Sequence, residues 1–400
     1  MLAKDFILIT VSGQDRPGIT AALMRVITAS GQKISDMGQA VTHGLLSLSI
    51  LIELDPEKKN ELGVLKELLF ETKKLGMNLD YQIMDKPQIP GQILGEKFIL
   101  NCVSVKELTS HFLQETAELM AKYSINILRI DTVSPANFRA LEMTTLVPPG
   151  APWPEIKKAL LVISMRHKID VAFLKDNVFR RTKRLVIFDM DSTLIDTEVI
   201  DEMAISHGVG DSVKKITEQA MNGDIDFDQS LKLRVEKLKG LPVAKMQSIL
   251  DQLLLTPGTD DFIKAIKSVG LKTALISGGF TFFAMALKSK LGLDYAFANE
   301  LEIENGQLTG KIIGNIINAN QKAFLLNFLA QQENINTEQV VAIGDGANDI
   351  PMLSAAGLGI AFHAKELVRE KANVHMGHGP MTSILYFLGI PEGNSLFNQS

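Results

Sequence analysis

Up to residue 184 the apolar positions come in short alternating runs separated by helix-period stretches, and the whole arrangement occurs twice. "KDFILITVSG" (Lys4–Gly13) returns as "EKFILNCVSV" (Glu96–Val105). Each run leads into a stretch whose apolar residues recur three and four positions apart, "GITAALMRVITASG" in the first copy and "LTSHFLQETAELMAKYS" in the second, the period of an amphipathic helix. Two strand-like runs follow in each copy, "KISDMGQAV" and "LLSLSILIEL", then "INILRIDTV" and "FRALEMTTLV". A second helical pattern comes next, "KNELGVLKELLFETKKLG" and "PEIKKALLVISMRH", and a last strand closes each copy near Asp80–Met84 and Ile169–Phe173. This self-similarity predicts two βαββαβ units.

From Leu185 the pattern changes. Four strand candidates, "RLVIFD", "KTALIS", "VVAIGD" and "LGIAF", alternate with helical stretches, the signature of an α/β domain built on a parallel sheet. Between the first two lies a mostly helical segment, Glu198 to about Leu254, longer than the usual single-helix crossover and therefore an insertion. Asn305-Gly306 between alternating runs predicts a β-hairpin. The expected domains are residues 1–86, 95–176 and 183–400, with the helical insertion at about 198–254. "DKPQIPGQILG" (Asp85–Gly95) reads as the first linker and the polar, basic "KDNVFRRTKR" (Lys175–Arg184) as the second boundary. The Pro-rich "VPPGAPWP" falls where the repeat calls for a loop before a helix, so it is not a boundary.

Composition narrows the class. The chain has 400 residues, 46% hydrophobic and 22% charged, an ordinary globular balance with material for more than one core. A net charge of −5 argues against a nucleic-acid binder with a dedicated basic face. Cys102 is the one cysteine, which excludes an intramolecular disulfide and any Cys-rich zinc site. The opening "MLAKDFILITVSGQDRPG" lacks the shape of a signal peptide, and no apolar run reaches the length of a membrane span. A cytoplasmic protein with no membrane partner is expected.

Three of the strand candidates end in polar residues: Asp189, followed closely by Asp191, then Ser277, then Asp345, with Asp349 four places on. Ligands of open parallel sheets sit beyond the carboxyl ends of the strands, so these groups are expected in one crevice. Carboxylates gathered there repel one another unless a cation joins them, and Mg2+ prefers such oxygen ligands. Ser277, Gly278 and Gly279 offer a hydroxyl and unobstructed N–H groups near a helix start, and Lys322 adds a point charge, together a phosphate cradle. The set describes phosphoryl transfer in which one carboxylate attacks phosphorus and the second moves the proton.

"DMDST", "SGG", "QKA" and "GDGANDIPML", in this order, resemble the four motifs of haloacid dehalogenase-like phosphatases. The resemblance runs from about Lys183 to the C-terminus, includes the insertion, which that family uses as a cap, and is nearest to its phosphoserine-hydrolysing branch. It implies that Asp189 is the nucleophile and Asp191 the general acid/base. It implies Mg2+ held by Asp189, the backbone carbonyl of Asp191 and Asp345, with Asp349 orienting the metal site. Ser277, Gly278, Gly279, Lys322 and Asn348 would bind substrate. Glu198 suits an ammonium and Arg234 on a helix suits a bidentate grip on a carboxylate, the two further charges of phosphoserine. Met221 and Phe227 match apolar pocket residues. The implied reaction is hydrolysis of O-phospho-L-serine to L-serine and phosphate through an aspartyl phosphate, the last step of serine biosynthesis.

The N-terminal units resemble ACT domains, small ferredoxin-like βαββαβ modules that bind amino acids and pair by joining sheets. "SGQDRPGITAAL" matches the ACT turn, with Gly18 where backbone approaches a ligand; the second copy reads "SVKELTSHFL" there and lacks the Pro-Gly, which points to assembly. An amino-acid effector and a homodimer are the partners this resemblance implies. Another small-molecule phosphatase, and an amino-acid sensor with an inactive phosphatase domain, are the alternative readings. "HMGH" holds His375 and His378 three apart but reads as a closing strand and loop rather than a metal pair.

Overall fold

The computed structural model describes residues 6–54, 61–84, 95–134, 138–372 and 374–390, and divides the chain into two units, Met1–Leu94 and Gly95–Ser400. The proposed linker at 85–94 lies outside the described residues. Among the described residues no helix is long and apolar enough to cross a membrane.

The first unit runs β1 (Phe6–Gln14), α1 (Ile19–Ser30), β2 (Lys33–Thr42), β3 (Leu45–Glu53), α2 (Glu61–Lys74) and β4 (Asn78–Met84). Its sheet has the order β2-β3-β1-β4, with every pairing antiparallel. Alternation decides which face is buried: Ile7, Ile9 and Val11 of β1 and Leu46, Leu48, Ile50 and Ile52 of β3 meet Leu23, Ile27 and Leu68 of the helices. Gly18 precedes α1 with φ 98°, a left-handed turn that explains why Pro-Gly stands there.

The second unit opens with the same βαββαβ order: β5 (Glu96–Ser104), α3 (Ser110–Lys122), β6 (Asn126–Thr132), β7 (Ala140–Val147), α4 (Trp153–His167) and β8 (Ile169–Lys175). Here Thr109 replaces the glycine, and its side chain accepts from the Phe112 N–H at 3.2 Å to cap α3.

The α/β part follows with β9 (Leu185–Phe188), then the insertion α5 (Val199–His207), α6 (Gly210–Met221), α7 (Phe227–Lys237) and α8 (Val243–Gln252). Next come α9 (Thr259–Ser268), β10 (Lys272–Phe280), α10 (Thr281–Leu291) and the hairpin β11 (Tyr295–Glu304) with β12 (Gln307–Ile313). Asn305 and Gly306 turn that hairpin with φ 51° and 75°, both left-handed as a type I′ turn requires. The chain ends in α11 (Ala319–Gln332), β13 (Val340–Gly344), α12 (Ile350–Ala355), β14 (Leu358–Phe362), α13 (Glu366–Lys371), β15 (Val374–Met376) and α14 (Ile384–Phe387). Strands β9, β10, β13, β14 and β15 are parallel, and β9, buried on all four residues, lies between β10 and β13.

The expectation of separate domains at 95–176 and 183–400 meets a continuous sheet. Eleven strands run in the order β12-β11-β10-β9-β13-β14-β15-β8-β5-β7-β6, so the second repeat is joined edge to edge with the parallel sheet. The joint is antiparallel, Val374 opposite Ala172 and His375 opposite Val171. Asp170, 1% exposed, accepts at Oδ1 from the Gly377 N–H (2.8 Å) and meets His378 Nδ1 (3.1 Å), while Oδ2 accepts from the Gly379 N–H (3.2 Å). The basic stretch after β8 is also held: Arg180, buried, pairs through two nitrogens with Glu142 of β7 at 2.9 and 3.2 Å. His375 and His378 therefore close the joint, as the strand-and-loop reading expects. Burial, helped by Arg369, pushes His375 down to about 4, so it stays neutral.

Candidate active site

The carboxyl ends of β9, β10 and β13 meet below the helical insertion. Asp189 directly follows β9 and is buried. Its Oδ1 accepts from the Met190 N–H at 2.7 Å and lies 2.8 Å from Lys322 Nζ, which leaves Oδ2 without a partner among the described residues. Lys322, in the first turn of α11, is fully buried and also reaches Asp349 Oδ1 at 2.7 Å. Burial opposes its charge, but Asp189 and Asp349 outweigh that and raise it, so it is a fixed cation.

Asp191 turns the other way. Its Oδ1 accepts from the Val199 N–H at the start of α5 (2.9 Å), while Oδ2 faces Gly279 so closely that a Cβ there would lie 2.7 Å from it. Glycine is needed at 279 for this approach. Ser277 is fully buried and its Oγ accepts from the Gly279 N–H at 2.8 Å. The sequence ends this strand at Ser277; observed β10 runs on to Phe280, because Phe280 pairs with Asn299 after an irregularity beyond Ile276. Asn299 Nδ2 donates to the Gly278 carbonyl (2.8 Å), fixing the cradle from the neighbouring strand. Asn348 Nδ2 lies 3.9 Å from where a Cβ on Gly278 would stand.

Asp345 follows β13, and its Oδ1 accepts from Thr193 Oγ1 at 3.2 Å. The carboxylates of Asp189, Asp345 and Asp349 each bring an oxygen within 4.8 Å of the others. Both oxygens of Asp349 are engaged, Oδ1 with Lys322 and Oδ2 with the Gly346 N–H at 3.0 Å, whereas Asp189 and Asp345 each keep one free among the described residues.

Electrostatically the crevice is underneutralised. Burial and then Asp349 push Asp189 well above the usual carboxylate range, against Lys322. Burial and Glu198 push Asp191 up to about 8, and burial and Asp349 push Asp345 up to about 7. Protons crowd onto these groups because cationic charge is short, and an all-oxygen set of this kind fits a hard divalent cation such as Mg2+.

The insertion supplies the roof. Phe227 begins α7, and its ring lies 3.1 Å from where a Cβ on Gly278 would stand. Arg234, in the last turn of α7, is half-buried and makes no ion pair among the described residues; its one hydrogen bond is from Nε to the Ser230 carbonyl at 3.4 Å. Burial lowers its pKa while Asp201, Glu198 and Asp191 oppose the shift. Glu198 is exposed at the start of α5 and accepts from Ser192 Oγ at 3.0 Å. Met221 ends α6; its side chain lies outside the described residues.

Five contributors, Asn299 among them, have no place in the sequence reading. Ser192, with φ 54°, orients Glu198, and Thr193 orients Asp345. Asn318, at the cap of α11, donates to both oxygens of Asp228 on α7 at 3.1 and 3.3 Å, tying the insertion to the sheet domain. "DMDST" contains Ser192 and Thr193, so their signal was available; the Asn318–Asp228 link spans ninety positions and has none.

Residues 183–357 match the family model of haloacid dehalogenase-like hydrolases, and residues 5–82 that of the ACT domain. The phosphoserine phosphatase SerB2 of Mycobacterium tuberculosis is 36% identical over 394 residues, 98% of this chain and 95% of its own length. The phosphoserine phosphatase of Archaeoglobus fulgidus is 47% identical over 237 residues, 59% of this chain and 69% of its own. A solved HAD family hydrolase of Salmonella enterica serovar Typhi superposes with a TM-score of 0.65 at 34% identity, covering 74% of this chain and all of that one (100%).

Proposed function

The chain belongs to the phosphoserine phosphatase family of the haloacid dehalogenase-like hydrolases, with an N-terminal ACT domain, and from that membership we propose that it hydrolyses O-phospho-L-serine to L-serine and phosphate. The observation that carries the reading is a buried Asp189 whose Oδ1 is held by Lys322 and the Met190 N–H while its Oδ2 has no partner among the described residues. A phosphate seated on Ser277, Gly278, Gly279 and Asn348 brings phosphorus to Asp189 Oδ2. That oxygen attacks, the bond from phosphorus to the serine oxygen breaks, and Asp191 gives its proton to the departing oxygen. A pKa raised to about 8 keeps Asp191 protonated for this step at neutral pH. Asp191, now a carboxylate, takes a proton from water, whose oxygen displaces Asp189 from phosphorus and restores the enzyme.

Asp189, the Asp191 carbonyl and Asp345 would hold Mg2+, with Asp349 keeping Lys322 and the Gly346 turn in place. Bound there, the ion offsets the crowded negative charge and polarises the phosphoryl group. Lys322 neutralises charge from below, since it is buried against Asp189. Arg234 would clamp the serine carboxylate and Glu198 would take the ammonium, while Phe227 would exclude water and Met221 is the other position that matches an apolar pocket residue. Such an enzyme would act in the cytoplasm as the last step of serine biosynthesis. The ACT units would take an amino-acid effector and pair two chains into a homodimer, which light scattering tests by a mass of twice 43.9 kDa.

The test is phosphate release from a panel of phosphorylated metabolites, with Mg2+ and with EDTA, for wild type and Asp189→Asn. Mg2+-dependent release strongest on phosphoserine and lost in Asp189→Asn supports both chemistry and substrate. Release strongest on another ester keeps the chemistry and discards the roles of Glu198 and Arg234.

A further inference from the structure

Far from the crevice in sequence, α3 and α4 bring together two imidazoles and a carboxylate. His111 and Glu115 stand four apart on α3, hence on one face, and His167 ends α4. His111 Nε2 lies 3.2 Å and His167 Nε2 3.3 Å from the same oxygen, Glu115 Oε1, and the three donor atoms lie within 4.8 Å of one another. We propose that His111, Glu115 and His167 form a second metal site, for a borderline-soft divalent ion of the Zn2+ class, built into the second βαββαβ repeat.

Spacing is the first reason. Ligand atoms about 2.0–2.1 Å from a tetrahedral Zn2+ stand roughly 3.3 Å apart, and both nitrogen-to-oxygen separations match that. The second is an unmet polar atom. His167 Nε2 is buried and has no aligned hydrogen-bond partner among the described residues, although Glu115 Oε1 is in contact range. An ion seated between them would take that nitrogen's lone pair. Third, the set is braced. Arg166 donates to the other carboxylate oxygen, Oε2, at 2.7 Å, and the Phe112 ring packs edge-on against His167 with centroids 5.7 Å apart. Metal-binding carboxylates are commonly held by such outer partners. His111 is exposed, which gives an ion its way in and leaves a fourth position to water.

The first repeat acts as an internal control. Aligning the helix caps Gly18 and Thr109 sets Thr20 opposite His111 and Met24 opposite Glu115, so the fold itself does not require these ligands. An ion here would clamp α3 to the end of α4, three residues before Asp170, which holds the joint to the parallel sheet.

The experiment uses the full chain carrying Asp345→Asn, which disables the carboxylate site, after chelation and in excess Mg2+. Titration with Zn2+ followed by calorimetry is expected to give one ion per chain, and Co2+ the intense visible absorption of a tetrahedral site. Adding His111→Ala, a change at an exposed side chain, is expected to weaken binding by more than the roughly 10–100-fold that outer-shell changes cost, and Arg166→Lys by about 10-fold. Equal Zn2+ affinity with and without His111→Ala overturns the proposal, as does the absence of any Zn2+ bound to the Asp345→Asn chain.

Discussion

Two of the regions in which the second unit buries carboxylates are treated oppositely. At the joint, Asp170 has both oxygens met by backbone N–H groups and His378. In the crevice, Asp189 and Asp345 each keep an oxygen free among the described residues, and Asp191 presents Oδ2 to the Gly279 backbone. A satisfied buried carboxylate serves as a structural fastener. An unsatisfied one costs stability and persists where a ligand, ion or substrate completes it. Burial alone does not separate the two kinds; the count of free oxygens does.

The comparison breaks most visibly at Asp189. Asp189→Asn is expected to lower phosphoserine turnover by about 10⁴-fold or more, read as released phosphate, with the melting temperature unchanged or higher because a source of repulsion is gone. Loss of folding instead would put Asp189 with the fasteners. Arg234→Ala comes next, lowering kcat/KM for phosphoserine by about 100–1,000-fold while sparing any activity on a phosphate ester that lacks a carboxylate. Equal losses on both esters would sink its role in specificity.

Asp170→Ala tests the other region. It should cost about 3 kcal/mol in denaturant unfolding, because three donors lose their acceptor, and leave kcat nearly intact in the fraction still folded. Thr193→Val should raise the Mg2+ concentration for half-maximal activity by about 10-fold, since Asp345 loses the hydroxyl that aims it. A change in maximal rate with unaltered Mg2+ dependence would argue for a different role.

The last expected effect is on pH dependence. Unfolded, Asp191 and Asp345 titrate near 3.8; folded, they are raised to about 8 and about 7. Between these values the unfolded chain has released protons that the folded chain keeps, so rising pH favours unfolding. In EDTA the melting temperature should drift down from about pH 4 to about pH 8, and saturating Mg2+ should shrink the drift by taking the place of the proton on Asp345 while Asp191 keeps its own. A melting temperature that rises over this window without metal would contradict the raised pKa values.

Much of this was legible in the chain. Alternation in "FILITVSG" and "LLSLSILIE" marks strands because one sheet face must be apolar, and the cradle and the acids stand at strand ends where a parallel sheet opens to ligands. The four motifs from "DMDST" to "GDGANDIPML" carry the resemblance to the family to which the chain belongs. What escaped lies between distant positions. His375 and His378 raise the question of a metal, but only the register that sets His375 opposite Val171 reveals them as part of a seam. His111, Glu115 and His167 carry no signal in the chain, since nothing in linear order brings the end of α4 beside α3.

The two repeats mark the division most clearly. By itself the sequence determined that each is a βαββαβ unit, because hydrophobic period and turn chemistry are local. Position by position they match through β1 and β5, where Val11 and Val103 correspond. Their partners across the sheet differ: Leu79 pairs with Val11, and Asp170 with Val103. Whether the strand bearing that position ends a sheet or continues one was decided only in the tertiary structure. An edge strand's free N–H and C=O groups accept any partner of suitable register, and it is β15, some two hundred residues away, that brings the two glycine N–H groups and the imidazole a buried Asp170 needs.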